Sequence, residues 1–95
     1  MVIFKVQFET LLTEEKVMSI AEERAPLFRE IPGLLQKYYF KGEEPNQYGG
    51  IYIWDSMESM QAFRETELAA SIPVAYEVQG TPQIEIYDAL FQLRD

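Results

Sequence analysis

Aromatic side chains are the residues of this chain whose types and spacing could do chemistry. The 95 residues include six Tyr, six Phe and one Trp. An apolar pocket with a few phenol hydroxyls would bind a flat aromatic ligand through stacking and one or two hydrogen bonds. The same residues would equally form the core of a small domain, because aromatic residues favour strands. Those concentrated in one half of the chain are Tyr38, Tyr39, Phe40, Tyr48, Tyr52, Trp54, Phe63 and Tyr76.

Composition removes several other kinds of chemistry. The chain has no His and no Cys, which excludes zinc fingers, thiol chemistry, iron–sulfur ligation, Ser-His-Asp triads and histidine-ligated haem. Its 16 Asp and Glu outweigh 8 Lys and Arg, for a net charge of −8. We therefore expect no nucleic-acid partner and no anionic membrane partner, since both would repel the chain.

Metal and cofactor motifs are also missing from the sequence. The paired acids, such as Glu14-Glu15, lack the alternating oxygen-ligand spacing of a calcium loop. Gly49-Gly50 is a bare pair without the flanking pattern of a nucleotide-binding loop. We expect no metal and no cofactor. With no signal-peptide pattern, no apolar stretch of about 18 residues and no Cys, we expect a cytoplasmic protein.

The first third of the chain predicts a strand followed by a helix. Residues 2–9 alternate between apolar and polar side chains, which is the period of a strand with one buried face. Thr13 is placed to cap a helix whose apolar stripe continues to Ile31. Pro26 lies inside this pattern and predicts a kink or a restart. Pro32-Gly33 should end the element.

The rest of the chain predicts three more strands and a second helix. Aromatic-rich residues 34–41 form the second strand, a loop spans 42–48, and residues 49–54 form the third strand. Asp55 or Ser56 caps the second helix. Two later segments complete the plan, a short helical turn over 67–72 that stops before Pro73 and a fourth strand over 83–88.

This order of elements predicts a single domain over residues 1–95 with the ferredoxin-like βαββαβ fold, an α+β class. Four antiparallel strands would carry both helices on one face. The other face needs a cover, because Ile51-Tyr52-Ile53-Trp54 is apolar on both sides of its strand. A second copy of the chain is the economical cover, clasped by the apolar tail 89–93. We therefore predict a homodimer.

Three segments of the chain resemble the YdhR-type monooxygenases. They are Ile31-Pro-Gly-Leu-Leu-Gln-Lys37, Tyr48-Gly-Gly-Ile-Tyr-Ile-Trp-Asp-Ser56 with the following Met60-Gln-Ala-Phe63, and Pro82-Gln-Ile-Glu-Ile-Tyr-Asp88. This family belongs to the dimeric α+β-barrel superfamily that includes the antibiotic-biosynthesis monooxygenases. The resemblance covers essentially the whole chain, and it implies the same fold and the same dimer.

The resemblance also implies an activity, the cofactor-independent oxygenation of a quinol-like or anthrone-like aromatic. Trp54 matches the tryptophan that lines the pocket in several relatives. Anthrone-type oxygenases carry an Asn where this chain has Gly50, and haem-degrading relatives carry a His where it has Arg64. Haem degradation is therefore not expected, and an anthrone mechanism would need another polar group, with Tyr52 or Tyr39 as candidates.

We therefore predict a substrate site for a hydrophobic aromatic small molecule, without assigning a catalytic residue. Lys37 is expected to be a surface or snorkelling residue. One alternative is a non-catalytic homodimer that binds or senses a hydrophobic metabolite, and another is an isomerase or cyclase on the same fold. The predicted substrate-binding residues are Trp54, Tyr52, Tyr39, Phe63 and Arg64.

Overall fold

The structure is a computed structural model that describes residues 1–94, and it contains four strands and three helices. In chain order the elements are β1 (Val2–Thr10), α1 (Glu14–Arg29), β2 (Leu34–Lys41), β3 (Gln47–Trp54), α2 (Met57–Arg64), α3 (Glu67–Ala75) and β4 (Val78–Asp88).

The four strands form one antiparallel sheet in the order β2-β3-β1-β4. This is the predicted ferredoxin-like α+β arrangement, which is thereby confirmed. All three helices pack on the same face, because their buried side chains meet sheet residues of a single parity. The radius of gyration of 13.3 Å agrees with the size expected for one domain of this length.

The core lies between the helices and alternate residues of β1 and β3. Phe4 and Phe8 of β1 are buried and lie opposite Tyr52 and Tyr48 of β3. The Phe4 and Tyr52 rings meet edge to face with centroids 5.4 Å apart, a favoured geometry for aromatic pairs. The alternation predicted for β1 is therefore confirmed, and the same parity of β3 faces the helices.

Helix α1 begins where its cap predicts and continues past its proline. The Thr13 hydroxyl oxygen accepts a hydrogen bond from the Lys16 backbone N–H at 3.1 Å. The helix is continuous through Pro26, so the predicted restart is wrong. Gly33 follows the helix with φ +82°, and a Cβ there would lie 2.2 Å from the Ser59 hydroxyl oxygen, so this turn requires glycine.

Helix α3 and strand β4 are substantially longer than predicted, and β3 begins at Gln47 instead of at residue 49. Helix α3 continues through Pro73 to Ala75, where the sequence predicted only a turn over 67–72. Strand β4 begins at Val78 instead of at residue 83. Its register on β1 shifts between Gln7 and Glu9, so the segment 80–82 bulges and accommodates Gly80 and Pro82 within the strand.

The sheet face turned away from the helices carries a patch of apolar side chains, which we call the open face. Tyr38 and Tyr87 are about half exposed, and the others are partly exposed. The Phe40 ring packs over Gly49, where a Cβ would lie 2.5 Å from the ring. An apolar sheet face of this kind is usually covered by another layer. The open face consists of Ile3, Tyr38, Phe40, Ile51, Ile53 and Tyr87.

A buried threonine joins the end of β1 to the end of α3. Thr10 is fully buried, and its hydroxyl donates a hydrogen bond to the Tyr76 carbonyl oxygen at 2.7 Å. The same oxygen accepts a hydrogen bond from the Leu12 backbone N–H at 3.2 Å. The Tyr76 carbonyl oxygen and the Leu12 N–H therefore share the Thr10 hydroxyl as a hydrogen-bond partner.

We expect Thr10→Val to lower the free energy of unfolding by about 1–3 kcal/mol, because it leaves these two backbone groups without their partner. Denaturant unfolding followed by circular dichroism measures the change. Thr81→Val, at an exposed position of β4, is the matched control and should stay within about 0.5 kcal/mol of the unsubstituted protein. Equal effects at both positions would contradict the structural role of Thr10.

Candidate functional site

A cavity of about 220 Å³ lies between α1 and the sheet, and we call it the α1 cavity. Its walls are largely apolar, and their polar side chains are four tyrosines, two lysines and one glutamate. It is smaller than the ~300 Å³ lower range of pockets for drug-sized ligands, which suits a compact ring system. Its lining side chains include Ala21, Lys37, Tyr39, Tyr48, Tyr52 and Tyr76.

Lys37 extends from β2 into a set of aromatic rings at the wall of this cavity. Its Nζ lies 3.7 Å from the centre of the Phe28 ring, 4.3 Å from that of Tyr39 and 4.5 Å from that of Tyr52. The strand register explains this position, because Lys37 pairs with Tyr52 and therefore faces the helices. Within residues 1–94, Lys37 forms no ion pair with a carboxylate.

The electrostatic setting of Lys37 favours its neutral form. Burial, and next the positive charge of Arg24, lower the pKa of Lys37 to about 7. Arg24 is held between α1 and α3, since its Nη2 donates a hydrogen bond to the Ser71 hydroxyl oxygen at 2.7 Å. A substantial fraction of Lys37 is therefore an uncharged amine at neutral pH, which can accept a proton.

Three phenols of the cavity, those of Tyr39, Tyr52 and Tyr76, are proton donors and not bases at neutral pH. Burial raises the pKa of Tyr52 well above the usual value and raises that of Tyr76 to about 12. Burial also raises the pKa of Tyr39, against the opposing charges of Arg29 and Arg24. A neutral phenol can donate a hydrogen bond to a ligand oxygen, so these groups can orient a substrate but cannot deprotonate it.

Gly50 makes room for the Lys37 side chain. A Cβ at this position would lie 3.0 Å from Lys37 Cε and 3.3 Å from Tyr52 Cε1, tighter than ordinary contacts. Gly50 lies opposite Tyr39 of β2 and Val6 of β1 in the register, on the face that the cavity occupies. The absence of a side chain at residue 50 therefore lets the amine approach the rings.

A second cavity, of about 200 Å³, lies between α3 and the sheet, and we call it the α3 cavity. Phe63 and Arg64 at the end of α2 line it together with Pro82 of β4. The guanidinium carbon of Arg64 lies 5.4 Å from the centre of the Phe4 ring. Tyr52 and Ile72 line both cavities and form part of the wall between them.

The five predicted site residues occupy three different places. Tyr39 and Tyr52 line the α1 cavity, and Phe63 and Arg64 line the α3 cavity. Trp54 is fully buried, stacks on Tyr52 at 6.0 Å between ring centres, and lines neither of these cavities. Its indole Nε1 has no hydrogen-bond partner within the described part of the chain.

Lys37 is the residue that the sequence analysis placed wrongly. It was expected at the surface, but its ammonium end lies among three aromatic rings. One signal was available: Lys37, Tyr39 and Lys41 share a parity in β2. The sequence alone does not say which parity faces the helices, so this signal could not be used.

The chain is similar to proteins of one known family. A family model described as "Putative mono-oxygenase ydhR" matches residues 3–89. No curated protein matches the chain.

In the described residues, no group of three or more His, Cys, Asp or Glu could hold a metal ion, and no helix is long and apolar enough to cross a membrane.

Solved structures share the fold at low sequence identity. SnoaB from Streptomyces nogalater, described as a cofactor-independent oxygenase, has a TM-score of 0.76 at 17% identity over 99% of this chain and 97% of its own. The ActVA-Orf6 monooxygenase of Streptomyces coelicolor, in complex with nanaomycin D, has a TM-score of 0.74 at 16% identity over 99% and 91%. NE2512 from Nitrosomonas europaea, described as of unknown function, has a TM-score of 0.78 at 18% identity over 99% and 93%.

The lowered pKa of Lys37 makes a prediction about stability. Unfolding restores the ordinary pKa near 10.5, so the unfolded chain binds more protons than the folded chain between pH 7 and 10. Lys37 therefore lowers the free energy of unfolding by a full and constant amount below about pH 7, and this destabilisation shrinks as pH rises from 7 towards 10.5.

Lys37→Met should be the more stable protein at pH 7, with an advantage that shrinks by at most about 1.4 kcal/mol per pH unit as pH rises to 9.5. Urea unfolding of both proteins across this range measures the difference. Lys16→Met, at an exposed position of α1, is the matched control and should keep a constant difference. A Lys37→Met difference that is equally constant would contradict the burial of a neutral amine.

Proposed function

Because the chain belongs to the ydhR mono-oxygenase family, we propose that it oxygenates a compact hydrophobic aromatic molecule, of the quinol or anthrone type, in the α1 cavity. The proposal keeps Tyr39 and Tyr52 as substrate-binding residues, since both line that cavity. Trp54 does not contact the substrate in this proposal. It stacks on the Tyr52 ring and supports it, and the substrate stacks on Tyr52.

The observation that carries this proposal is the composition of the α1 cavity wall. Tyr48, Tyr52 and Tyr76 offer ring surfaces for stacking, and phenol hydroxyls can bind a substrate oxygen. The wall also holds an amine with a pKa of about 7. A flat molecule with one ionisable hydroxyl matches this set of groups better than a sugar, a nucleotide or a peptide does.

The reaction that fits such a site uses molecular oxygen as the co-reactant. An ionised phenol is rich in electrons and can transfer an electron to dioxygen, after which the two radicals combine. For an anthrone the methylene carbon becomes a carbonyl, one oxygen atom enters the product, and the other leaves as water. The four electrons lost by the carbon are the four gained by dioxygen. The protein binds, orients and helps to ionise the substrate.

We propose that this reaction needs no flavin, haem or metal. The structural similarity to SnoaB, which is described as a cofactor-independent oxygenase, supports this part of the proposal. The complex of ActVA-Orf6 with the ligand nanaomycin D supports a small-molecule ligand in a fold of this kind. We also propose the cytoplasm as the compartment, because the chain contains no Cys that an oxidising compartment would pair.

Oxygen uptake by dialysed, chelator-treated protein with a panel of anthrones, quinols and catechols tests the function. We expect uptake above the autoxidation rate and a product that carries label from ¹⁸O₂. Ala21→Phe, which fills the α1 cavity, should reduce turnover at least about tenfold. Ala62→Phe, at an exposed position of α2, is the matched control and should keep full turnover.

No uptake across the panel would overturn the oxygenase proposal. Binding of the same compounds without any product would then favour the non-catalytic binding protein, and a product of unchanged mass would favour an isomerase. Equal turnover in Ala21→Phe and Ala62→Phe would show that the reaction occurs elsewhere on the protein.

We further propose that the functional unit is a homodimer in which two open faces pack together. The open face presents the apolar patch of β1, β2, β3 and β4 described above, which water would otherwise contact. Next to it, Leu90, Phe91 and Leu93 of the C-terminal tail are 94%, 80% and 84% exposed. Large apolar side chains with this exposure would be covered by the partner of a two-fold dimer.

Ile53→Glu should convert the dimer to a monomer, because it places a charge beside Ile3 in the apolar patch of the open face. Sedimentation velocity gives the mass, and circular dichroism verifies that the variant is folded. Val74→Glu adds the same charge at a highly exposed position of α3 and should leave the dimer intact. A monomeric unsubstituted protein at tens of micromolar would overturn the dimer proposal.

A further inference from the structure

We propose that Lys37 is the general base of the site, a neutral amine that removes the hydroxyl proton of the aromatic substrate. This inference rests on the proposed function and names the residue that ionises the substrate. No other group seen at the α1 cavity is suited to this role.

The position of Nζ allows direct contact with a bound phenol. Lys37 lines the α1 cavity, and its Nζ contacts the rings of Phe28, Tyr39 and Tyr52 from three sides. Tyr39 and Tyr52 line the cavity as well, so a ligand stacked there lies beside the amine. In the described chain Nζ has no carboxylate to neutralise its charge, so its lone pair stays available.

The groups that face Lys37 keep it neutral before the substrate binds. From α1 the nearest charge is the Arg24 guanidinium, which repels a second positive charge. From β2 and β3 come the phenols of Tyr39 and Tyr52, with Tyr76 beyond them, and all three stay protonated at neutral pH. With the amine buried among these groups, its pKa of about 7 lies where a general base works best.

The other candidate bases are occupied or unsuited. Glu14 lines the cavity, but its carboxylate forms an ion pair with Lys41 at 2.7 Å, and both side chains are exposed to solvent. The phenols would have to ionise first, which burial opposes. Lys37 is therefore the side chain at this cavity wall that can accept a proton near pH 7.

The same surroundings stabilise the pair of ions that the transfer creates. The phenol O–H bond breaks, its proton forms a bond to the Nζ lone pair, and the electron pair remains on the phenolate oxygen. The new ammonium lies against the faces of three aromatic rings, which attract a cation. The phenolate has the new Lys37 ammonium beside it, and the Arg24 charge that acts on Lys37 adds to the positive potential. When dioxygen is reduced and one oxygen atom leaves as water, the ammonium returns its proton and the amine is regenerated.

Steady-state oxygen uptake with a simple quinol tests the base directly. Because phenols ionise near pH 10, a rise of kcat/KM to a plateau just above pH 7 would report the enzyme and not the substrate. Lys37→Met and Lys37→Arg should each lose about 100-fold or more in kcat/KM. Arginine keeps the charge but cannot give up its proton, so a merely electrostatic role would survive in Lys37→Arg. Lys16→Met is the control and should retain the activity and the pH profile.

Chemical rescue separates proton transfer from a structural role. Small primary amines added to Lys37→Ala should restore part of the rate in proportion to their neutral form, so the rescue should grow with pH. Rescue that follows the concentration of the ammonium form, or full activity in Lys37→Arg, would overturn the proposal that Lys37 acts as a base.

A binding measurement tests whether Lys37 accepts a proton from a bound phenol, even if no substrate in the panel is oxygenated. The dye 4-nitrophenol absorbs visible light only as its phenolate. At pH 7, where about half of Lys37 is the neutral amine, the unsubstituted protein should bind this dye wholly as the phenolate, whereas Lys37→Met should bind it as the neutral phenol. A dye that stays neutral in both proteins, or that binds to neither, overturns the proposal for Lys37. Absence of oxygen uptake together with the expected dye spectra would instead overturn only the proposed oxygenase.

Discussion

The register between β1 and β3 sets the position of every side chain in the candidate site. In this register Phe4 lies opposite Tyr52, and Val6 lies opposite Gly50. A shift by one residue would turn Tyr52 and Trp54 onto the open face and bring Ile51 and the Ile53 side chain into the core. The strand β2 then adds to β3 with Lys37 beside Tyr52, so the amine reaches the cavity because two registers are fixed in succession.

Burial of Lys37 lowers stability, and this cost is itself informative. An amine withdrawn from water without a carboxylate partner opposes folding, and Arg24 adds repulsion from α1. The aromatic rings around Nζ return part of this free energy whenever the amine is charged. Groups whose pKa is shifted by burial in a cavity are concentrated at functional sites. A methionine at residue 37 would fill the same space without the electrostatic cost.

The sequence predicted the frame of the protein better than the site. Alternation in β1, turn residues after α1 and the capping role of Ser56 are local signals, and each has its predicted place in the structure. The extra length of β4 was missed because Gly80 and Pro82 normally break strands, and only the bulge opposite β1 accommodates them. The site depends on which parity of β2 faces the helices, and that choice is made by packing between elements distant in sequence.

Gly50 and Lys37 are two parts of one arrangement. The resemblance to anthrone-type oxygenases predicts an Asn where this chain has Gly50, and the missing amide left the site without a polar group. A side chain at residue 50 would crowd Lys37 Cε and the Tyr52 ring, whereas glycine leaves that volume to the lysine stem. The chain has no His, its buried phenols hold their protons, and the Glu14 carboxylate at the cavity is paired with Lys41, so the base near neutral pH comes from a desolvated amine. The missing side chain on β3 therefore makes the space in which the amine on β2 can act as a base.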